Sequence, residues 1–86
     1  MDPSRKIVRS QSPEADALSG LRKSARADRI SVGLLPPPFS LGGRAAGFFA
    51  HELESVAAAR AGGADDEAVR ALVTRLMEAR NAQRAA

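Results

Sequence analysis

Hydrophobic residues recur at helical spacing in the last third of the chain. They follow an i, i+3/i+4, i+7/i+8 pattern that includes Val69, Leu72, Val73, Leu76 and Met77. Three acidic residues at 65–67 precede this stripe, where the positive end of a helix dipole favours negative charge. The pattern predicts an amphipathic helix over about 65–83. Its apolar stripe would either complete the core of the domain or support self-association with a neighbouring protomer.

Two short helices separated by a glycine are predicted in the first half of the chain. The Ser-Pro-Glu run at 12–14 is typical of a helix start, and Gly20 ends that helix. A second helix over about 22–32 ends at Gly33, before three prolines that cannot continue it. Two short helices joined by a tight glycine turn are typical of a helix-turn-helix.

A β-hairpin and a third helix are predicted to follow the prolines. Residues 39–41 alternate apolar, polar and apolar side chains, as a strand does. The pair Gly42-Gly43 favours a tight turn, and 45–49 supplies the returning strand. A third helix runs from His51, which we expect at the surface, to about Ala61.

These elements predict one small domain, mainly α with a small β-hairpin, arranged as a winged helix-turn-helix. Residues 12–62 would form the main domain, and 63–86 a C-terminal helix packed on it or on a neighbour. Residues 1–11 would form a flexible basic arm, although their apolar pair Ile7-Val8 also suits a short strand. Of the 38 hydrophobic residues 18 are Ala, so the core is thin and needs its phenylalanines.

The composition excludes several classes of site. The chain has no Cys and one His, so disulfides, thiol nucleophiles and a multi-His metal site within one chain are not expected. No apolar run approaches the roughly 20 residues of a membrane span, and no signal peptide is visible. Glu52 and Glu54 lack a partner base or metal ligands, and no catalytic arrangement is recognisable. We therefore expect a soluble cytoplasmic protein that is not an enzyme and has no cofactor or metal.

Positive charge is concentrated in the first half of the chain. The net charge is +3, and 11 of the 13 basic residues are Arg. Residues 1–50 carry eight basic and four acidic residues, a net of +4, whereas residues 51–86 carry five and six, a net of −1. A basic first half fits a polyanionic partner such as nucleic acid, although solvated Arg side chains would give the same count.

The order of these motifs resembles the AlpA family, short regulators of phages and other mobile elements with a MerR-like or excisionase-like winged helix. The resemblance covers about residues 12–80. It rests on Pro13-Glu14, Gly20-Leu21, the 22–32 helix ending at Gly33, Leu35-Pro36-Pro37-Pro38, Leu41-Gly42-Gly43-Arg44, Ala45-Ala46-Gly47-Phe48, Glu52-Leu53-Glu54 and the tail AGGADDEAVRALVTRLMEAR.

Four positions depart from the family pattern. Arg22 stands where the family usually has a capping Ser, and Arg26-Ala27 where it has an aliphatic residue and Tyr. Phe48 stands where Trp is common. The second helix therefore lacks its usual cap and has a poorer inward face, which leaves the register of its DNA-contacting side chains open.

The resemblance and the clustered charge select candidate DNA-binding residues on the second helix and on the hairpin. Arg side chains can bond guanine edges, while Lys and Ser can hold phosphates. An Arg at a hairpin tip can enter the minor groove. Arg29 could instead pair with Glu14 or Asp16, and Arg44 could lie over a Phe ring or pair with the third helix. The candidates are Arg22, Lys23, Ser24, Arg26, Arg29, Ser40, Gly43 and Arg44.

The resemblance implies that residues 12–62 are a DNA-binding domain that binds double-stranded DNA in one of two roles. An excisionase, or recombination directionality factor, bends attachment-site DNA and directs a partner integrase (a tyrosine recombinase) toward excision. A transcriptional regulator would control mobile-element genes. A protein–protein adaptor or antitoxin-like module that uses the last helix is the alternative from a different class. In the DNA-binding roles the protein would associate with the nucleoid.

Overall fold

Four helices and one three-stranded antiparallel sheet form the fold, and helix predominates, which confirms the coarse class expected from the sequence. The structure, a computed structural model, describes the backbone of residues 6–85 and the side chains of residues 6–82. Part of the expected arm, residues 1–5, therefore lies outside the described residues. The elements are β1 (Ile7–Arg9), α1 (Pro13–Ser19), α2 (Lys23–Ser31), β2 (Phe39–Gly42), β3 (Ala45–Phe49), α3 (Ala50–Ala61) and α4 (Asp66–Ala85).

Local chemistry sets the boundaries of the first two helices. The Ser12 side chain caps α1 by accepting a hydrogen bond from the Ala15 N–H at 3.1 Å. Gly20 ends α1 in the left-handed conformation, with a φ of 72°. Arg22 precedes α2, and its side chain makes no capping hydrogen bond within the described residues. The missing side-chain cap agrees with the sequence, since Arg is not one of the residues that usually cap a helix.

The segment before α1 contains a strand, so the prediction of a flexible arm is wrong for residues 7–9. Strand β1 pairs antiparallel with β3, the central strand of the sheet, and Val8 lies opposite Phe48. Each of these two residues is only 2% exposed. Burial offsets the entropic cost of ordering β1, since a fully buried large apolar side chain contributes about 1.5–3 kcal/mol.

Strands β2 and β3 form the predicted hairpin, which we call the wing (residues 39–49). Both turn glycines have positive φ angles, 98° at Gly42 and 57° at Gly43, which other residues rarely adopt. The pairing register shifts between Ser40 and Gly42. Residues 40–44 are all exposed, so the tip of the wing is open to another molecule.

The α4 stripe covers the core of its own chain. Val69 and Val73 are buried, while Leu72, Leu76 and Met77 are partly buried against the same cluster. Of the two uses expected for the stripe, completion of the core is therefore the one this arrangement favours. The buried cluster consists of Val8, Ala15, Leu34, Leu35, Phe48, Ala50, Leu53, Val56, Val69 and Val73.

A buried ion pair joins α3 to α4. Glu52 is 2% exposed, and the guanidinium of Arg80 bonds both of its carboxylate oxygens. The same guanidinium carbon lies 5.3 Å from the centre of the Phe39 ring and 5.9 Å from that of Phe49. These two phenylalanines, expected in the core, are thus half-buried beneath a cation. The sequence alone does not indicate a partner for Glu52, because Arg80 is 28 residues away and off the apolar stripe.

His51 is less exposed than its place at a helix start suggested. It is half-buried, with its ring centre 5.6 Å from that of Phe49, and its buried Nδ1 has no hydrogen-bond partner among the described residues. Within the described part of the chain, no helix is both long and apolar enough to cross a membrane. The same residues contain no cluster of three or more His, Cys, Asp or Glu side chains suited to a metal ion.

Candidate nucleic-acid interface

The outward face of α2 carries small and polar side chains. Five of its six exposed residues, all except Arg29, follow the i, i+1, i+4, i+5, i+8 spacing of one helix face. Of these five, one is basic and one is acidic, so this face is much less cationic than the composition of 22–29 suggested. A face with short side chains allows close approach to a flat or grooved partner. The face consists of Lys23, Ser24, Ala27, Asp28 and Ser31.

Arg26 points into the protein, which corrects its assignment as a DNA-contacting residue. It is 2% exposed, and its Nη1 donates to Asp16 Oδ1 at 2.5 Å and to the Leu21 carbonyl at 2.6 Å. Its Nη2 donates to the Ser10 carbonyl at 2.8 Å. All of its observed bonds tie α2 to α1 and to the end of β1, so the side chain is a structural clamp. A charged residue is tolerated at this buried position because its guanidinium bonds one carboxylate and two backbone carbonyls.

A polar cleft separates β1 from the wing. It has a volume of about 220 Å³ and is lined by Arg9, Ser10, Gln11 and Arg44, with Ala45 and Ala46 completing the wall. Neither arginine makes an ion pair within residues 6–82, and both are exposed. Two unpaired guanidinium groups on one polar cleft form a site suited to a phosphate group.

A second, open cleft continues this surface to the start of α2. It is lined by Gln11, Ser12, Pro13, Asp16, Arg22, Lys23 and Arg26. Gln11 lines both clefts, so the surface is continuous from the wing to α2. Asp16 forms an ion pair with Arg26, whereas Arg22 and Lys23 have no ion-pair partner among the described side chains. We call the four unpaired cations of this surface, Arg9, Arg22, Lys23 and Arg44, the cationic strip.

The hairpin candidates have separate local roles. Ser40 Oγ accepts a hydrogen bond from the Gly42 N–H at 3.1 Å, so its hydroxyl supports the turn while the residue stays exposed. Gly43 provides the tip conformation that places Arg44 next to the turn. One alternative for Arg44 is a cation placed over a Phe ring. In the structure Arg80, not Arg44, lies over the rings of Phe39 and Phe49.

Arg29 lies away from the cationic strip. It lines a different groove, together with Ser19, Leu21 and residues of α3. The ion pairs considered for it do not form in the described structure, because Glu14 pairs with Lys6 at 2.6 Å and Asp16 pairs with Arg26. The hydrogen bond to Glu14 raises the pKa of Lys6 above its ordinary value, which favours the charged form of the lysine.

The candidate interface includes residues that the sequence does not single out, among them Arg9, Gln11, Asp28 and Ser31. Arg9 and Gln11 lie in the segment expected to be a flexible arm, although the apolar pair beside Arg9 also suits the strand that positions them. Asp28 and Ser31 are not part of the basic cluster that indicates the second helix. A helical wheel drawn with Arg26 toward the core places Asp28 and Ser31 on the outward face of α2.

Comparison of the chain with protein-family models, with curated proteins and with solved structures gave no match, so the case for its function rests on its own residues.

Proposed function

We propose that the protein is a non-enzymatic binder of double-stranded DNA. The observation that carries this proposal is the cationic strip, in which four unpaired cations line two clefts that meet at Gln11. Three separate elements contribute these cations: β1, the start of α2 and the wing. Basic side chains that converge from separate elements on one surface, with no free carboxylate facing them in the two clefts, match the regular negative charge of a DNA backbone.

In this proposal α2 lies in the major groove with its small face toward the bases. Lys23 and Ser24 contact phosphate or base edges near the start of the helix. Asp28 accepts a hydrogen bond from a cytosine amino group, which is the base contact that a carboxylate makes. Arg44 and Gly43 approach the backbone or the minor groove from the wing. Arg9 and Gln11 contact the backbone between these two regions.

We further propose an AlpA-like role in a mobile genetic element, as an excisionase that bends attachment-site DNA for a partner integrase. Each protomer offers a narrow contact surface, so several protomers side by side would supply the contacts that offset a bend. Such a bend costs roughly 1–6 kcal/mol. Control of mobile-element transcription is the alternative role of the same DNA-binding surface. The adaptor hypothesis receives less support, because the α4 stripe on which it depends packs against the chain's own core.

A binding titration tests the first proposal. Fluorescence anisotropy with a labelled duplex from the region upstream of the protein's own coding sequence, and with a scrambled duplex of equal length, measures affinity and specificity. Lys23→Ala is expected to weaken binding several-fold, whereas Arg75→Ala, the loss of an exposed Arg on α4 outside both clefts, leaves it nearly unchanged. Equal effects of the two variants would contradict the assignment.

A recombination assay separates the two roles. Plasmids that carry the attachment sites are incubated with the element's integrase, with and without this protein, and excised circles are counted. The excisionase role predicts excision that depends on this protein and is lost in Lys23→Ala. Excision without it, combined with Lys23-dependent repression of a reporter, would instead support the transcriptional role.

A further inference from the structure

An apolar groove lies between the α1–α2 turn, α2 and α3, and it shares no residue with the two clefts of the cationic strip. Its volume is about 240 Å³. The floor consists of core side chains, and Leu21 and Ala57 form half-buried walls. The lining residues are Ser19, Leu21, Arg29, Leu34, Leu35, Leu53, Val56, Ala57 and Arg60.

The size of the groove favours a protein side chain over a small molecule. Pockets for small ligands and cofactors usually have volumes of about 300–1,000 Å³ and enclose most of the ligand. At about 240 Å³, with one side open to solvent, this groove holds one large apolar side chain. An aliphatic or aromatic side chain anchored in such a pocket is the usual centre of a protein–protein contact.

Charge at the rim identifies the chemistry of the partner. Arg60 is already held, because its Nη2 donates to Asp66 Oδ1 at 2.7 Å and its Nη1 to the Ala64 carbonyl at 3.3 Å. Arg29 is exposed and has no ion-pair partner within residues 6–82. The groove therefore combines an apolar floor with one available guanidinium, which complements an apolar side chain that has a carboxylate beside it in sequence.

We propose that this groove binds an acidic segment of a partner protein. The segment inserts one large apolar side chain between Leu21 and Ala57 and places a neighbouring carboxylate on Arg29. A second copy of the chain fits poorly, since the large apolar residues exposed in the described part of the chain, Ile7, Val32 and Leu41, have no acidic residue within two positions in sequence. The proposal does not rest on DNA binding, because the groove and the cationic strip are separate surfaces.

Amide chemical shifts measured by NMR test this proposal with a synthetic probe, the peptide acetyl-EELFEE-amide. We expect its addition to shift the amides of Leu21, Leu53 and Ala57. The peptides acetyl-QQLFQQ-amide and acetyl-EEAAEE-amide should bind more weakly, because each lacks one of the two features. Arg29→Ala should weaken binding about two- to fivefold, as expected for an exposed ion pair.

Filling the groove provides the decisive variant. Ala57→Phe should abolish the shifts, and Ala57→Met serves the same purpose if the larger side chain impairs folding. Ala71→Phe, an equal enlargement at an exposed position on α4, should leave binding intact. The proposal would be overturned by any of three results. These are chemical-shift changes confined to the cationic strip, binding of the glutamine peptide as strong as that of acetyl-EELFEE-amide, and undiminished peptide binding by the Ala57 variants. Self-association of the protein in the absence of peptide would also overturn the proposal if Ala57→Phe abolishes it, because a second copy of the chain would then be the occupant of the groove.

Discussion

The guanidinium of Arg26 and the carboxylate of Asp16 form an ion pair at 2.5 Å that fastens α2 to α1. The arginine is 3% exposed at its side chain, whereas the aspartate is 48% exposed, so the pair lies at the boundary of the core. Two backbone carbonyls, those of Ser10 and Leu21, complete the bonding of the same guanidinium. A charged residue therefore helps to fix the position of α2 against α1.

Replacing Arg26 by Met should destabilise the fold while keeping the apolar stem of the side chain. The variant loses all of these hydrogen bonds and leaves two carbonyls without their donor, so we expect a loss of about 1.5–3 kcal/mol in the free energy of unfolding. Urea denaturation followed by circular dichroism measures it. Lys23→Ala is the matched control on the exposed face of α2, and it should change stability by no more than about 0.5 kcal/mol. An Arg26→Met variant as stable as the wild type would contradict the structural role assigned to Arg26.

The buried pair between Glu52 and Arg80 predicts strong coupling between two substitutions. Arg80→Met alone leaves a buried carboxylate unpaired and should cost about 3–5 kcal/mol, a large part of the stability of so small a domain. The double variant Glu52→Leu with Arg80→Met removes both charges and should recover most of that loss. Thermal denaturation of the single and double variants gives the coupling energy. Additive losses would show that the pair does not act as a unit.

Gly47 in β3 should not tolerate a side chain. A Cβ atom there would lie 3.0 Å from Ile7 Cγ2 and from the Val8 carbonyl oxygen, and 3.1 Å from Leu41 Cδ1. The carbonyl belongs to a paired strand and cannot yield easily, so Gly47→Ala should lower stability by about 1–3 kcal/mol. Gly62→Ala is the control, because a Cβ there meets its nearest atoms at 3.5 Å and φ is −82°. That change should be neutral or stabilise by up to about 1 kcal/mol.

The stability that Asp66 provides should disappear in acid. A hydrogen bond from Arg60 lowers the pKa of Asp66 below its ordinary value of 3.8. The folded state therefore favours the ionised form, and the contribution is present above pH 3.8 and is lost as the pH falls through the lowered pKa. The melting temperature of Asp66→Asn should be below that of the wild type at pH 7, and the two should converge as the pH falls below the lowered pKa of Asp66. A difference in melting temperature that persists in acid would contradict the stabilising role of the Asp66 carboxylate.

Local signals in the sequence predicted most of the secondary structure. The cap at Ser12, the stops at Gly20 and Gly33 and the Gly42-Gly43 turn are short-range features whose chemistry is legible without tertiary contacts. Strand β1 was ambiguous, because its three residues acquire their structure only by pairing with β3, which is about 40 residues away. A pattern of two apolar residues beside an arginine does not by itself distinguish a strand from an arm.

The candidate site was harder to predict, because it depends on which way charged side chains point. Arg26 and Lys23 belong to the same basic segment, yet one is the clamp between helices and the other faces solvent. The buried acceptors of Arg26 include the Ser10 carbonyl, 16 residues away, and no spacing rule reveals that contact. The pairing of Glu52 with Arg80 was missed for the same reason.

The salt dependence of DNA affinity tests the central claim most directly. The logarithm of the association constant falls with the logarithm of salt concentration by about 0.9 for each phosphate neutralised. If Arg9 and Arg44 each hold a phosphate on the polar cleft, the Arg9→Ala and Arg44→Ala variants should each lower the slope by about that amount, and Arg75→Ala should leave it unchanged. Slopes equal to that of the wild type in both cleft variants would contradict the assignment of the cationic strip to DNA.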